Sequence, residues 1–176
     1  MNIILEGPDA AGKTLYADKF VEYGYTYYKC SPGSHAKVSN LNKEYFEKLL
    51  ELDNVVFDRF CISELVFADL YEREKVITFE EVNKILANAI LKDNKLIIFY
   101  ASNIETLKER CIERGELDYL EEIEKQNKMF TNYAWVFAAY ESENVIFIDV
   151  SKYNTIEDVN ATVEKIIGGW NENLFC

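Results

Sequence analysis

LEGPDAAGKTL, residues 5–15, contains the spacing G-x-x-x-x-G-K-T. A short apolar run, NIILE (2–6), leads into it and is typical of a strand buried on both faces. A helical pattern begins directly afterwards, near residue 12. Strand, loop and helix in this order place backbone N–H groups and the positive end of a helix around one anion. The stretch therefore predicts a phosphate-binding loop.

Each residue of this motif has an expected partner on a nucleotide. Lys13 would reach the β and γ phosphates of ATP, and the Thr14 hydroxyl would ligate Mg²⁺. Further phosphate contacts are expected along the loop and the first helical turn, at Gly7, Ala10, Ala11, Gly12, Lys13, Thr14 and Leu15. The motif thus predicts ATP as phosphoryl donor and Mg²⁺ as cofactor.

Apolar runs alternate with helical patterns along the whole chain. The predicted strands are residues 2–6, 25–31, 54–58, 95–101 and 144–150. The predicted helices are residues 12–23, 41–52, 62–73, 79–92, 104–114, 117–140 and 155–167. Such alternation predicts an α/β fold, a five-stranded parallel sheet covered by helices on both faces. A chain of 176 residues is long enough for one such domain, spanning 1–176.

Composition narrows the class of protein. The net charge of −12 repels polyanions and argues against a nucleic-acid partner, whereas a local basic pocket could still hold a small charged ligand. Four separated cysteines and a single histidine lack the spacing of a zinc site. No apolar run reaches the length of a membrane span, and no secretory signal pattern is visible. We therefore expect a cytoplasmic protein.

Adjacent opposite charges, Asp58 and Arg59, end the third predicted strand. Ligands bind at the carboxyl ends of parallel strands, where the phosphate loop and Ser31–Lys37 also lie. Arg59 could hold a phosphate as a planar fork, with Asp58 orienting it or approaching Mg²⁺ through water. The alternative is an ion pair that only caps the strand end.

Arg110 and Arg114 are four residues apart, on one helical face, just before Gly115 interrupts the pattern. Two arginines beside a hinge suit a lid, at about 110–122, that closes over ATP and neutralises charge on the transferred group. Because glutamates flank both arginines, a salt-bridged surface helix is the alternative.

EGPDAAGKT, at the first strand end, resembles the first motif of thymidylate kinases. The resemblance implies that Asp9 contacts the sugar hydroxyl of an acceptor nucleotide, although Asp9 could instead only stabilise the loop. D-R-F followed by Ser, and R-x-x-x-R-G-E-L-D in the lid, are also similar to thymidylate kinases. Bacterial members with lid arginines have a small residue in the phosphate loop, as Ala10 is here.

A second resemblance, to deoxynucleoside kinases, is carried by SELVFADLY (63–71) and LDYLEEIEKQ (117–126). Both resemblances imply a P-loop NTPase fold with three layers and a short helical lid. The second strand is followed by KCSPGSHAK (29–37), which lacks the arginine of thymidylate kinases and the catalytic glutamate of deoxynucleoside kinases. Lys29, His35 or Lys37 could replace that arginine.

Aromatic residues could form a flat slot for a nucleobase. The candidates are Phe60, Phe67, Tyr45 and Phe46. Gln126 could read a base edge or face water, and Arg73 could reach a phosphate or remain a solvated surface charge.

The absence of the catalytic glutamate of deoxynucleoside kinases favours a monophosphate over a nucleoside as acceptor. A hydroxyl near pKa ~15 benefits from a base, whereas a monophosphate chiefly needs positioning. We expect transfer of the γ-phosphoryl group of ATP to a deoxynucleoside monophosphate, dTMP or a similar pyrimidine nucleotide. The expected catalytic residues are Lys13, Asp58, Arg59, Arg110 and Arg114, the substrate contacts Asp9, Arg59, Phe60 and Phe67, and the metal contacts Thr14 and Asp58.

Three other hypotheses about the function stay open. A deoxynucleoside kinase would use Asp58 as base, and a kinase acting on a modified base in DNA is a more distant alternative. A nucleotide-binding switch without an acceptor is the third.

The apolar helices at 62–73 and 79–92 could also pack against a twofold mate in a homodimer.

Overall fold

The structure, a computed structural model, describes residues 1–30, 42–153 and 155–168. Within these residues, five strands form one sheet in the order β2-β3-β1-β4-β5, and every neighbouring pair is parallel. The strands are β1 (Ile3–Glu6), β2 (Thr26–Lys29), β3 (Val55–Asp58), β4 (Lys95–Tyr100) and β5 (Val145–Asp149). The predicted five-stranded parallel sheet is confirmed.

Seven α-helices connect and follow these strands in the described residues. They are α1 (Lys13–Glu22), α2 (Lys43–Leu49), α3 (Cys61–Leu70), α4 (Phe79–Leu91), α5 (Glu105–Glu113), α6 (Leu120–Ala138) and α7 (Ile156–Gly168). A short 3₁₀ helix, Leu117–Tyr119, lies between α5 and α6, so the first three residues of the predicted helix 117–140 form a 3₁₀ turn instead. The predicted cluster Ser31–Lys37, with His35 and Lys37, lies outside the described residues.

Alternate residues of the buried strands point into two separate cores. Ile4 of β1 packs in the core formed with α2, α3, α4 and α6, where Phe46, Phe130 and Phe137 lie. Ile3 and Leu5 of β1 pack in the other core, with α1, α5 and α7. This two-sided burial explains why the strands are apolar throughout rather than alternating. The helices therefore cover both faces of the sheet, as predicted.

The parallel register of β1 and β3 aligns the two polar strand ends. Leu5 is paired with Asp58, and the Arg59 N–H donates to the Leu5 carbonyl at 2.9 Å. The chain after Glu6 and the chain after Asp58 therefore leave the sheet side by side. Gly7 lies close to β4, because a Cβ at this position would lie 2.7 Å from the Phe99 Cβ and 2.8 Å from its carbonyl oxygen. Only a glycine lets the loop pass this close to the strand.

The first turn of α3 is capped by Glu6, the last residue of β1. Its N-cap is Phe60, which supplies no side-chain hydrogen bond. Instead, the carboxylate of Glu6 accepts from the N–H groups of Ile62 at 2.8 Å and Ser63 at 3.1 Å, and from the Ser63 hydroxyl. These contacts satisfy helix donors that would otherwise stay unpaired. Glu6, at the end of β1, therefore fixes the turn that carries Arg59.

Helix α3 is packed inside the chain itself. Its residues from Cys61 to Ala68 are all buried, against α4 and α6 among others. The apolar character of this helix is therefore explained by its own fold and no longer supports a contact with a twofold mate. The homodimer stays a prediction.

In the described part of the chain, no helix is both long enough and apolar enough to span a membrane.

The capping role of Glu6 predicts a pH dependence of stability. Burial raises the pKa of Glu6 from 4.5 to about 7, partly offset by the bonds from Ser63. Between these values the folded protein keeps a proton that the unfolded chain releases, so the stability present below pH 4.5 is lost as the pH rises towards 7. The shift corresponds to about 3 kcal/mol.

Glu6→Gln keeps an oxygen for the helix N–H groups but cannot titrate. We expect the free energy of unfolding of the wild type to fall relative to that of the variant between pH 5 and pH 7, measured by urea denaturation. Subtracting the two curves removes the contributions of titrating groups that do not interact with Glu6. Parallel curves would contradict the prediction.

Candidate functional site

The phosphate loop turns tightly between β1 and α1. Ala10 and Gly12 both have positive φ, 56° and 81°, and Gly12 is the N-cap of α1 without any side-chain cap. The first N–H groups of the helix are therefore not taken by a side chain, as an anion site requires. Thr14 and Leu15, in the first turn, are exposed. The loop predicted from the motif is present in the expected form.

Lys13 folds back over this loop. Its ammonium group donates to the carbonyls of Gly7 at 2.9 Å and Pro8 at 2.5 Å, and the residue is buried. Burial, followed by the nearby Arg59, lowers the pKa of Lys13 to about 7. A polyphosphate beside Lys13 would reverse this effect, because an anion favours the charged ammonium.

Arg59 lies directly against the phosphate loop. Its backbone has φ of 70°, which is uncommon for a residue with a side chain. One guanidinium nitrogen donates to the Gly7 carbonyl at 3.3 Å, and the guanidinium lies over the Phe67 ring at 4.5 Å. The other terminal nitrogen forms an ion pair with Asp9. The structure thus brings Arg59 into the cleft between the two strand ends.

Asp9 is the centre of a hydrogen-bond network. Besides Arg59, its carboxylate accepts from the Tyr119 hydroxyl at 2.6 Å and from the Gln126 amide at 3.1 Å. Burial alone would raise the pKa of Asp9, but Arg59, Lys13 and the two hydrogen bonds hold it at about 2. Asp9 therefore stays ionised at every physiological pH.

The pairing of Asp9 with Arg59 differs from the sequence expectation, in which each group was free for the acceptor. A sealed ion pair here would argue against transfer to a small acceptor. Arg59 is only 7% exposed, but the Asp9 side chain is 37% exposed. The pair is thus open on the side of Asp9, where a ligand could reach it.

Asp58 turns away from Arg59 and towards β2. Its Oδ2 accepts from the Tyr27 hydroxyl at 2.9 Å, whereas its Oδ1 is buried without a hydrogen-bond partner. Burial and the bond to Asp58 raise the pKa of Tyr27, so this hydroxyl remains a donor. Asp58 and Arg59 therefore do not form the strand-capping pair considered as an alternative. Lys29 is exposed and lies opposite Asp58 in the strand register.

The donor set fits a magnesium ion bound together with a nucleotide. Thr14 offers an exposed hydroxyl, and Asp58 offers a carboxylate oxygen without a partner. No cluster of three or more histidine, cysteine or acidic residues that could hold a metal occurs in the described residues. Mg²⁺ is commonly held by one or two protein groups together with substrate phosphates, so such a cluster is not needed.

Phe60 and Phe67, the two aromatic residues predicted to contact the substrate, lie in different environments. Phe67 stacks on Tyr71, with ring centroids 6.0 Å apart, and faces Arg59. Phe60 is 1% exposed and packs against Phe46 and Phe57, at centroid distances of 4.7 and 5.2 Å. Both Phe60 and Phe46 lie in the hydrophobic core, so neither presents a ring face to a surface slot. Their predicted role in base binding finds no support in this packing.

The two arginines of the predicted lid lie beside the phosphate loop. Arg110 donates to the Ala10 carbonyl at 2.9 Å and lines, with Arg114 and Tyr153, a cavity of about 150 Å³ next to Gly12. Burial, and then the neighbouring Arg114, lower the pKa of Arg110. Arg114 is the C-cap of α5 and is exposed. The structure therefore brings both arginines to the loop, rather than to a surface helix facing only solvent.

Two open alternatives are decided by burial. Gln126 is fully buried and bonds to Asp9, so it does not face water. Arg73 forms a bidentate ion pair with the buried Glu64, at 2.5 and 2.8 Å, and is therefore not a solvated surface charge.

Several residues that shape the site were not predicted from the sequence. They are Glu6, Tyr27, Ser63 and Tyr119. Each acts on a residue more than 30 positions away, so local spacing carries no signal for it. Strand alternation could have shown only that Tyr27 and Lys29 share a face of β2.

Comparison with known proteins places the chain in a family. The thymidylate kinase family profile matches residues 34–163, well over half of the chain. The SPbeta prophage-derived uncharacterized protein YorR of Bacillus subtilis (strain 168) is 33% identical over 121 residues, which are 68% of this chain and 72% of YorR. The matched profile begins after the phosphate loop, so the loop motif is a separate observation.

Solved structures share the fold. A crystal structure of YorR from Bacillus subtilis, in complex with phosphorylated GDP, superposes with a TM-score of 0.75 and 27% identity, covering 97% of this chain and 100% of that chain. Deoxyadenosine kinase from M. mycoides with bound dCTP has a TM-score of 0.59 and 17% identity, covering 96% and 100% of the two chains. At that identity the likeness to deoxyadenosine kinase shows the fold alone. Together with the profile match, whose range includes Arg59, Arg110 and Arg114, these relations establish that the chain belongs to the thymidylate kinase family and is a nucleotide or nucleoside kinase.

Proposed function

We propose that this kinase transfers the γ-phosphoryl group of ATP to a deoxynucleoside monophosphate, dTMP or a similar pyrimidine nucleotide. The observation that carries the proposal is the position of Arg59, whose guanidinium donates to Gly7 of the phosphate loop. A cation for the acceptor thus lies within one hydrogen bond of the donor site. That proximity suits in-line transfer between two bound phosphates, where alignment and charge neutralisation supply most of the catalysis.

On the donor side, Lys13 and the amides of the phosphate loop would hold ATP. The expected contacts are Gly7, Ala10, Ala11, Gly12, Thr14 and Leu15. Kinases of this family generally use ATP with Mg²⁺. Thr14 and Asp58 would hold that ion, which would neutralise phosphate charge when it is bound. A lid at about 110–122, in a single domain of residues 1–176, would bring Arg110 and Arg114 onto the donor phosphates.

On the acceptor side, a phosphate would replace Asp9 as the partner of Arg59. A phosphate group carries more charge than a carboxylate and also accepts bidentate hydrogen bonds from arginine. Asp9 would keep its bonds to Tyr119 and Gln126 and meet the sugar hydroxyl, on its exposed side. Phe67, already stacked on Tyr71, would lie beside the bound nucleotide.

A deoxynucleoside acceptor is the second candidate, and a specific observation favours it. Arg59 and Arg73 already face carboxylates, Asp9 and Glu64, so both arginines are neutralised before any acceptor binds. Asp58 meanwhile has one oxygen without a hydrogen-bond partner, as a general base for a 5′-hydroxyl would need.

An acceptor panel separates the two candidates. Purified protein with Mg-ATP is offered dTMP, dCMP, dAMP and dGMP, and then the four matching nucleosides, with ADP release as readout. Guanine is included because the YorR crystal structure contains phosphorylated GDP. We expect turnover with monophosphates, pyrimidines first. Turnover with nucleosides alone would assign the second candidate, and slow hydrolysis that no acceptor accelerates would leave neither.

Arg59→Ala tests the acceptor cation directly. Without the guanidinium, the acceptor phosphate loses its charged partner in the transition state, so kcat/KM for the acceptor should fall by about 10²–10³-fold. ATP affinity should change less than about twofold, because Lys13 and the loop amides remain. Arg59→Lys, which keeps the charge but not the planar fork, should recover only part of the loss. An equal loss of ATP binding would contradict the assignment.

The two lid arginines should differ in importance. Arg110 is partly buried and bonded to the loop, whereas Arg114 is exposed at the end of α5. We therefore expect Arg110→Ala to lower kcat more than Arg114→Ala, by about tenfold or more between them. Steady-state kinetics at saturating acceptor measure both variants. Similar small effects in both would favour a surface helix over a lid.

A further inference from the structure

Gln126 holds one residue of the phosphate loop at two points. Its Oε1 accepts from the backbone N–H of Asp9 at 2.9 Å, and its Nε2 donates to Asp9 Oδ2 at 3.1 Å. Gln126 lies on α6, 117 positions along the chain from Asp9, and is 0% exposed. The two contacts fix both the backbone position of Asp9 and the direction of its carboxylate.

The opposite oxygen of the same carboxylate faces Arg59. Asp9 Oδ1 pairs with the guanidinium, while Oδ2 is held by Gln126 and Tyr119. A carboxylate is rigid, so turning one oxygen moves the other. The orientation that Gln126 imposes on Asp9 therefore also determines where the partner oxygen of Arg59 lies.

The same amide connects the acceptor side to the segment after α5. Gln126 Nε2 also donates to the Tyr119 hydroxyl at 2.5 Å, and this hydroxyl donates to Asp9 Oδ2 at 2.6 Å. Tyr119 belongs to the 3₁₀ helix that follows the arginines Arg110 and Arg114. Gln126 thus lies where the proposed lid, the phosphate loop and the acceptor arginine meet.

The neighbouring Asn127 is similar in chemistry but differs in what it holds. It is buried on the same helix, and its amide bonds the N–H and the carbonyl of Ala101, at 2.8 and 2.9 Å. Those contacts fasten α6 to the end of β4 and involve no charged side chain. Asn127 is therefore the matched case of a buried amide that only joins a helix to the sheet.

We propose that Gln126 is a positioning residue that presents Asp9 to the acceptor and to Arg59, and so sets acceptor affinity without contributing to ATP binding. The inference rests on the proposed function, because it assumes an acceptor at Asp9 and Arg59. Loss of a hydrogen bond to a charged group reduces binding by about tenfold or more. The effect should appear in the acceptor KM and not in the ATP KM.

Three variants separate positioning from simple packing. Gln126→Ala removes both contacts with Asp9. Gln126→Glu keeps an oxygen for the Asp9 N–H but places a carboxylate beside Asp9 Oδ2. Asn127→Ala removes a buried amide from the same helix without touching Asp9. Thermal unfolding of all three shows how much stability each loses.

We expect both Gln126 variants to raise the acceptor KM by about tenfold or more while the ATP KM stays within about twofold. Asn127→Ala should lower thermal stability at least as much as Gln126→Ala, but leave the acceptor KM within about twofold. Equal changes in both KM values for Gln126→Ala, or an acceptor KM change in Asn127→Ala as large as in Gln126→Ala, would overturn the inference.

Amide hydrogen exchange tests the two contacts between Gln126 and Asp9 without any acceptor. Gln126→Ala should speed exchange in the peptide that covers residues 5–15, where the Asp9 N–H lies, and Gln126→Glu should leave it protected. Asn127→Ala should speed exchange around Ala101 instead. Identical exchange of the 5–15 peptide in wild type and Gln126→Ala would overturn the inference. Failure of the proposed function would show separately, as a wild type that phosphorylates no monophosphate.

Discussion

The parallel register of β1 and β3 is the constraint on which the site depends. Leu5 is paired with Asp58, and the Arg59 N–H bonds the Leu5 carbonyl, so both chains leave the sheet at the same level. The chain after β1 becomes the phosphate loop, and the chain after β3 carries Arg59. A shift of register by one residue would turn every side chain of β3 to the opposite face. The phosphate loop and Arg59 meet because this register is held by two cores.

Charge in the cleft is balanced within the protein before a nucleotide binds. Lys13 is bonded to carbonyls and has a pKa of about 7, lowered first by burial, while Arg59 holds Asp9 ionised. Glu6, with a pKa raised by burial to about 7, caps α3 close behind them. A nucleotide bound as proposed would therefore exchange one set of partners for another rather than enter an empty cationic pocket. The side-chain contacts would then differ between the free and the bound protein, and this difference would allow binding to shift side chains.

Membership of the thymidylate kinase family and the fold shared with YorR and a deoxyadenosine kinase fit this arrangement. A phosphate loop after β1 and an arginine after β3 are compatible with either proposed acceptor, a monophosphate or a hydroxyl. The difference lies in a few charges around Asp9, Asp58 and Arg59, because a monophosphate needs a spare cation and a hydroxyl benefits from a base. Fold alone therefore does not determine the acceptor.

The features that depend on short-range sequence patterns were predicted correctly. The five strands, the helices between them and the phosphate loop depend on apolar runs and on the spacing of Gly7 to Thr14, which neighbouring residues alone determine. The rule that ligand crevices lie at the carboxyl ends of parallel strands also directed attention to Arg59, which contacts the phosphate loop at Gly7. Phe60 shows the limit of this reasoning, since an aromatic residue at a strand end can equally well belong to the core.

The sequence by itself determined the fold class, the phosphate loop and the arginines that face it. Only the tertiary structure decided their partners: Asp9 for Arg59, Tyr27 for Asp58, Glu6 for the start of α3 and Gln126 for Asp9. These contacts join residues from 31 to 117 positions apart. Local spacing records the conformation of a segment, whereas such contacts depend on strand register and helix packing, which arise only when the whole chain has folded.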